Sequence, residues 1–289
     1  MSEELRVRLG RLARGKSARE EIARPTPAPT GRRRKGPPSL ESLLPGRELQ
    51  TDRGVCWLHE RQIGQWPGTD EKLAARMTET LAAPAPADLE RDSGWNGWRE
   101  RGLDSGLFLD LETTGLSGTP VFLCGLLSAD AGAMSFRLLL ARDYAEEAAL
   151  LTAVAAEIAI RPVVITYNGK SYDLPFLGER SARLRVNPCR PAAHLDLLHP
   201  ARRRWSARLP DCRLKTLEWH LLGRHRSGDI DGSKIPDTYH RFVRDRDPRP
   251  LVRVMAHNLQ DLYTLAELAV RTAQTPVPPP IMVVKIPDI

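Results

Sequence analysis

The chain has 289 residues, 41% of them hydrophobic, which is enough to bury the core of one large α/β domain or two small ones. A formal charge of +7 and a pI near 9.5 admit a polyanionic partner, although an Arg-rich composition gives the same sum without one. No apolar run approaches the ~20 residues of a membrane span. The four cysteines form no C-x-x-C pair, and Cys189, His194, His199 and Cys212 lack the short paired spacing of zinc ligands, so a cytoplasmic protein with reduced thiols is expected.

Residues 1–47 are expected to form a disordered basic arm. A short helix over residues 5–23 precedes Pro25-Thr26-Pro27-Ala28-Pro29 and the run Arg32-Arg33-Arg34-Lys35, and proline together with like charge keeps such a stretch extended. The arm serves either to attract nucleic acid or to keep the chain soluble. Residues 48–104 are expected to form a small N-terminal layer, with one or two short strands around Gly54-Val55-Cys56-Trp57-Leu58 and a helix over residues 70–81. Trp57, Trp66, Trp95 and Trp98 are assigned to packing.

The main domain is placed at residues 105–275, with residues 276–289 as a tail. Strands are predicted at 107–111, 121–128 and 134–140, separated by turn residues that argue for hairpins. Alanine- and leucine-rich spacing predicts a helix over residues 144–160, ended by Pro162. The β-branched run Val163-Val164-Ile165-Thr166-Tyr167 predicts a buried strand. A helix at 173–184, a strand at 192–198 and a long helix at 250–273 follow, the last with apolar residues at intervals of three and four.

Three segments carry chemistry. In a strand, Asp110 and Glu112 share one face, and two buried carboxylates side by side need a cation to coexist. Asp173 stands where the buried strand gives out before a helix, as a ligand or as an N-cap. His257 and Asp261, four apart in the last helix, face the same way, as a catalytic pair or as a buried hydrogen bond.

In chain order these residues follow D-x-E, N-x-x-x-Tyr-Asp and His-x-x-x-Asp, and the chain resembles the DEDD 3′→5′ exonuclease superfamily. More closely, it is similar to the YprB-type ribonuclease-H-like domain of bacterial proteins. That resemblance rests on residues 108–116, 167–175, Asp196-Leu197-Leu198-His199, residues 213–218, Leu221-Leu222-Gly223, residues 235–239 and residues 257–265. It implies an α/β fold, a ribonuclease-H-like mixed sheet with helices on both faces. It implies a metal-dependent 3′→5′ exonuclease acting on DNA or RNA, with Asp110, Glu112, Asp173 and Asp261 binding two Mg²⁺ or Mn²⁺ ions, consistent with oxygen-only ligands.

His257 completes the expected catalytic set, four residues before Asp261 where better-known members of the superfamily it resembles place either a histidine at five or a tyrosine at four. Thr113, Thr114, Asn168 and Lys170 are the expected substrate contacts. Lys170, Arg202, Arg203, Arg204, Arg208 and Lys215 either line a substrate track or form a solvated face. Asp196 is read as structural. A structure-selective endonuclease and a nucleic-acid-binding module without turnover are the alternatives.

Overall fold

The computed structural model describes residues 36–187 and 190–278. The expected arm up to Lys35, including its helix, lies outside these residues, as do Cys189 and the end of the tail. Leu40 and Leu44 are already buried in the core, so packed chain begins ahead of residue 47.

Seven strands form one sheet: β1 (Arg47–Thr51), β2 (Gly54–Gln62), β3 (Gly106–Thr113), β4 (Val121–Asp130), β5 (Ala133–Leu140), β6 (Val163–Thr166) and β7 (Ala193–Asp196). Their order is β1-β2-β5-β4-β3-β6-β7. Short turns join β3, β4 and β5 into antiparallel neighbours, whereas β6 and β7 add to the other side of β3 in parallel. The sheet is mixed, with helices on both faces, as expected. β2 is longer than the short strand predicted, because Trp57–Gln62 pairs residue by residue with β5. The segment read as an N-terminal layer therefore contributes two strands to the main sheet.

The labelled helices are α1 (Leu73–Ala82), α2 (Ser93–Arg101), α3 (Glu147–Ile160), α4 (Asp173–Leu184), α5 (Leu198–Trp205), α6 (Leu214–Leu222), α7 (Ile235–Asp245) and α8 (Arg249–Gln274). Strand alternation sorts the core into two layers. On one face Phe108, Phe122 and Leu138 pack with Met77 of α1, Trp95 and Trp98 of α2, Tyr239 of α7 and Leu259 and Leu262 of α8. On the other, Leu107, Leu109, Leu111 and Leu126 pack with Leu150 and Val154 of α3 and Leu177 of α4. Nine of the ten residues of β4 are buried, so this strand is covered on both faces.

Two boundaries moved for local reasons. Tyr144–Glu146 is a 3₁₀ turn ahead of α3, opened by the Asp143 carboxylate accepting from the Ala145 amide at 3.0 Å. The strand expected to reach residue 198 stops at Asp196, whose carboxylate accepts from the Leu198 amide at 3.1 Å and starts α5.

Candidate active site

Alternation along β3 sends Leu107, Leu109 and Leu111 toward α3 and α4, and Phe108, Asp110 and Glu112 toward α8. A register shift between Glu112 and Thr113 interrupts the β3–β4 ladder at this point, a device that commonly re-aims side chains beside sites. β6 pairs with β3 only over Gly106–Phe108. Beyond that pairing the Leu111 amide donates instead to Asp173 Oδ1 at 3.2 Å. Asp173 is the first residue of α4, with Tyr172 at the cap position, so its carboxylate ties the start of α4 to the open end of β3.

From the opposite side, Asn258 of α8 donates Nδ2 to Asp110 Oδ2 at 2.7 Å and to the Asp110 carbonyl at 3.2 Å. Gly125, opposite Asp110 in β4, makes room for this amide, because a Cβ there would fall 1.7 Å from Asn258 Oδ1. Asp261 follows one turn later. His257 stands between two carboxylates, with Nδ1 2.7 Å from Asp229 Oδ1 and Nε2 3.3 Å from Asp261 Oδ2. Asp229 also meets the Lys215 ammonium at 2.8 Å. Arg226 bridges Asp261 at 2.6 Å and buried Glu218 at 2.5 Å.

Burial, then the charges of Asp261, Glu112 and Asp173, hold the Asp110 carboxyl well above the ordinary carboxylate range. Burial, Asp261 and Asp173 do the same to Glu112, against a hydrogen bond from Asn258. Burial pushes Asp173 up to about 7, although backbone hydrogen bonds work the other way. Asp229 moves oppositely: partial burial would raise it, but Lys215 and His257 hold it at about 2. The acids facing α8 are thus short of positive charge, while the acid behind His257 is fully ionised.

This donor set suits Mg²⁺ or Mn²⁺, since it offers hard oxygen ligands with excess negative charge. The side chains are not drawn in around an ion: among the described residues no group of three or more His, Cys, Asp or Glu is arranged to hold one. Arg226 meanwhile occupies an oxygen of Asp261.

The expected substrate contacts stand around this cluster and are partly engaged elsewhere. Thr113 donates its hydroxyl to the Gly115 carbonyl at 2.6 Å and Thr114 donates to the Pro120 carbonyl at 3.3 Å, shaping the loop that follows Glu112. Asn168 takes a left-handed turn conformation, with φ of 67°. Its amide and that of Lys170 donate to Asp196 at 2.8 and 3.0 Å, leaving both side chains exposed. Asp196 therefore holds the turn that delivers Asp173. Of the basic residues considered for a track, Arg204 is buried and bound to Asp88.

Sequence reading missed Asn258, Gly125, Arg226 and Asp229. Asn258 lies inside the quoted His257–Asp261 segment, but its partner is 148 residues away. Arg226 and Asp229 carried one usable signal, a cation and an acid three apart in a turn-rich stretch shortly after a helix.

A sequence model described as RNase_H superfamily matches residues 107–273, from β3 to the end of α8. The uncharacterized protein YprB of Bacillus subtilis (strain 168) is 33% identical over 172 residues, covering 58% of this chain and 41% of that protein. The chain thus spans less than half the length of that relative. Among solved structures, the family B DNA polymerase from the hyperthermophilic archaeon Pyrobaculum calidifontis aligns over 57% of this chain and 24% of its own, at 19% identity and a TM-score of 0.46. No helix among the described residues is long and apolar enough to cross a membrane.

Proposed function

The chain belongs to the RNase_H superfamily, and on that premise we propose that it is a metal-dependent nuclease that shortens DNA or RNA from the 3′ end. Membership supports nuclease chemistry in general. The observation that carries the finer reading is the convergence of Asp110 and Glu112 from β3 with Asp173, tied to β3 through the Leu111 amide, and Asp261 of α8. In this acid cluster burial raises Asp110, Glu112 and Asp173, and the charge of Asp261 raises the first two further.

Asp110, Glu112, Asp173 and Asp261 would hold two divalent cations, which when bound supply Lewis acidity and charge neutralisation for phosphoryl displacement. The chain's own groups do the rest. Asp229 accepts the Nδ1 proton of His257 and so leaves Nε2 as the atom that takes a proton from the attacking water. Asn258 fixes the Asp110 carboxylate by donating to it. Arg226 must release Asp261, or share it, for that oxygen to become a ligand.

The Arg226–Asp261 pair favours one competing reading, a nucleic-acid-binding module without turnover, because it already neutralises one expected ligand. The purified chain with end-labelled single-stranded, duplex and hybrid substrates, in Mg²⁺, Mn²⁺ or chelator, separates the two. A ladder growing from the 3′ end only with metal supports the exonuclease. Discrete internal cuts would make it an endonuclease, and bound but intact substrate would leave a binder. Asp110→Asn should lower cleavage roughly a thousandfold; unchanged cleavage would remove the metal site, and full activity in His257→Ala would remove the proton acceptor alone.

A further inference from the structure

Trp57, Trp95, Trp98 and Trp205 are buried, whereas Trp219 keeps 53% of its surface exposed. It lies on α6, four residues after Lys215 and therefore on the same face, about one helical turn further along. Lys215 leads directly to the site: its ammonium is 2.8 Å from Asp229, which in turn is 2.7 Å from His257. α6 is anchored beside this face by Leu217 and by buried Glu218, the latter ion-paired to Arg226 and Arg224. The indole thus cannot be explained as core packing. His225, from the loop that carries Arg226 and Asp229, meets its ring at 5.0 Å and 78°, an edge contact that steadies the indole without covering it.

We propose that Trp219 is a stacking platform for an unpaired nucleobase of the strand entering the carboxylate site, which makes the preferred substrate single-stranded near its processed end. The inference rests on the nuclease reading and deepens it. Three features select a nucleic acid over an apolar protein segment. Beyond its edge contact with His225 the ring is exposed, so it offers a flat aromatic face. Arg213, at the cap of α6, keeps 85% of its side chain in solvent beside Asp211, and Lys215, paired with Asp229, keeps 50%, so both present cationic surface to a phosphate at this end of the helix. Stacking on an aromatic side chain is also sequence-tolerant, since every base has a π-face, and it requires a base that is not held between neighbours in a duplex.

The test uses the full chain with divalent metal and two labelled substrates of one sequence, a single strand and a blunt duplex. Trp219→Ala should raise KM for the single strand by roughly ten- to a hundredfold, by far more than it changes kcat. Trp219→Phe should recover most of that loss, because a smaller ring still stacks. The blunt duplex should respond little to either variant, and the melting midpoint should stay in place. Oligonucleotide should quench indole emission of the wild-type chain, and that quench should vanish in Trp219→Phe. Stacking is overturned if Trp219→Ala processes the single strand with wild-type KM, or if both substrates weaken equally. If the wild-type chain cuts no strand at all, the nuclease reading fails and this inference fails with it; if it cuts and Trp219→Ala cuts equally well, only the stacking platform is lost.

Discussion

Glu147, buried, and Asp110, half-buried, are acids held against the same sheet, yet their surroundings differ. Glu147, at the start of α3, takes a two-pronged ion pair from Arg180 at 2.8 and 2.6 Å and a third hydrogen bond from the Val121 amide at 2.9 Å. Arg180 spends a remaining nitrogen on the Gly118 carbonyl. Asp110 has a neutral amide for a partner and three further carboxylates for neighbours. A buried charge is tolerated when its counter-charge and hydrogen bonds come with it. The first acid is completed from within the chain; the second is left with negative charge that protons, Arg226 or bound cations must offset.

The largest expected effect tests the completed side. Arg180→Ala leaves Glu147 buried without its cation and should cost about 3–5 kcal/mol in a urea melt. A loss near zero would mean that the pair resembles a surface ion pair, and the contrast with Asp110 would collapse.

A smaller effect probes the incomplete side through pH. Asp110, Glu112 and Asp173 are raised above their ordinary values in the folded chain, so folding favours their protonated forms. Without metal, that contribution is fully present below about pH 4, the ordinary carboxylate range, and is lost as pH rises through about 7, the value for Asp173. On the proposed function, Mn²⁺ or Mg²⁺ would bind the ionised acids. The gain in melting midpoint on adding metal should therefore be larger near pH 8 than near pH 5 by scanning calorimetry. Equal gains at both would show that internal partners already neutralise the cluster.

The smallest effect sharpens the comparison at its edge, where Asp229 is a well-supplied acid serving the poorly supplied ones. Asp229→Asn should lower kcat about ten- to a hundredfold, with some fall in melting midpoint near neutral pH because Lys215 and His257 hold this carboxyl at about 2. Partial rescue by Asp229→Glu would identify the carboxylate's hold on His257 Nδ1 as the cause. A wild-type kcat in Asp229→Asn would reduce Asp229 to a partner of Lys215.

Much of this contrast could be read in one dimension. Asp110 and Glu112 share a face because strand side chains alternate, and Asp173 declares itself at the junction of a β-branched strand and a helix. The order of strands and helices followed from periodicity and turn residues in the same way. The Glu147–Arg180 pair was not legible: Glu147 reads as one more acid at a helix start, and Arg180 as one more base on an amphipathic helix. Gly125 likewise reads as a weak point in a strand until Asn258 is seen filling the space it leaves.

By itself, then, the sequence determined which acids point the same way, which elements carry them and in what order those elements come. Backbone geometry sets those periods over a few residues, so no distant contact is needed to read them. Only the tertiary structure decided which acids are completed and which are left short. That outcome depends on Arg180 reaching Glu147, Asn258 reaching Asp110 and Asp229 reaching His257 across 33, 148 and 28 residues. Packing of helices on the sheet brings those partners together, and no local pattern encodes it.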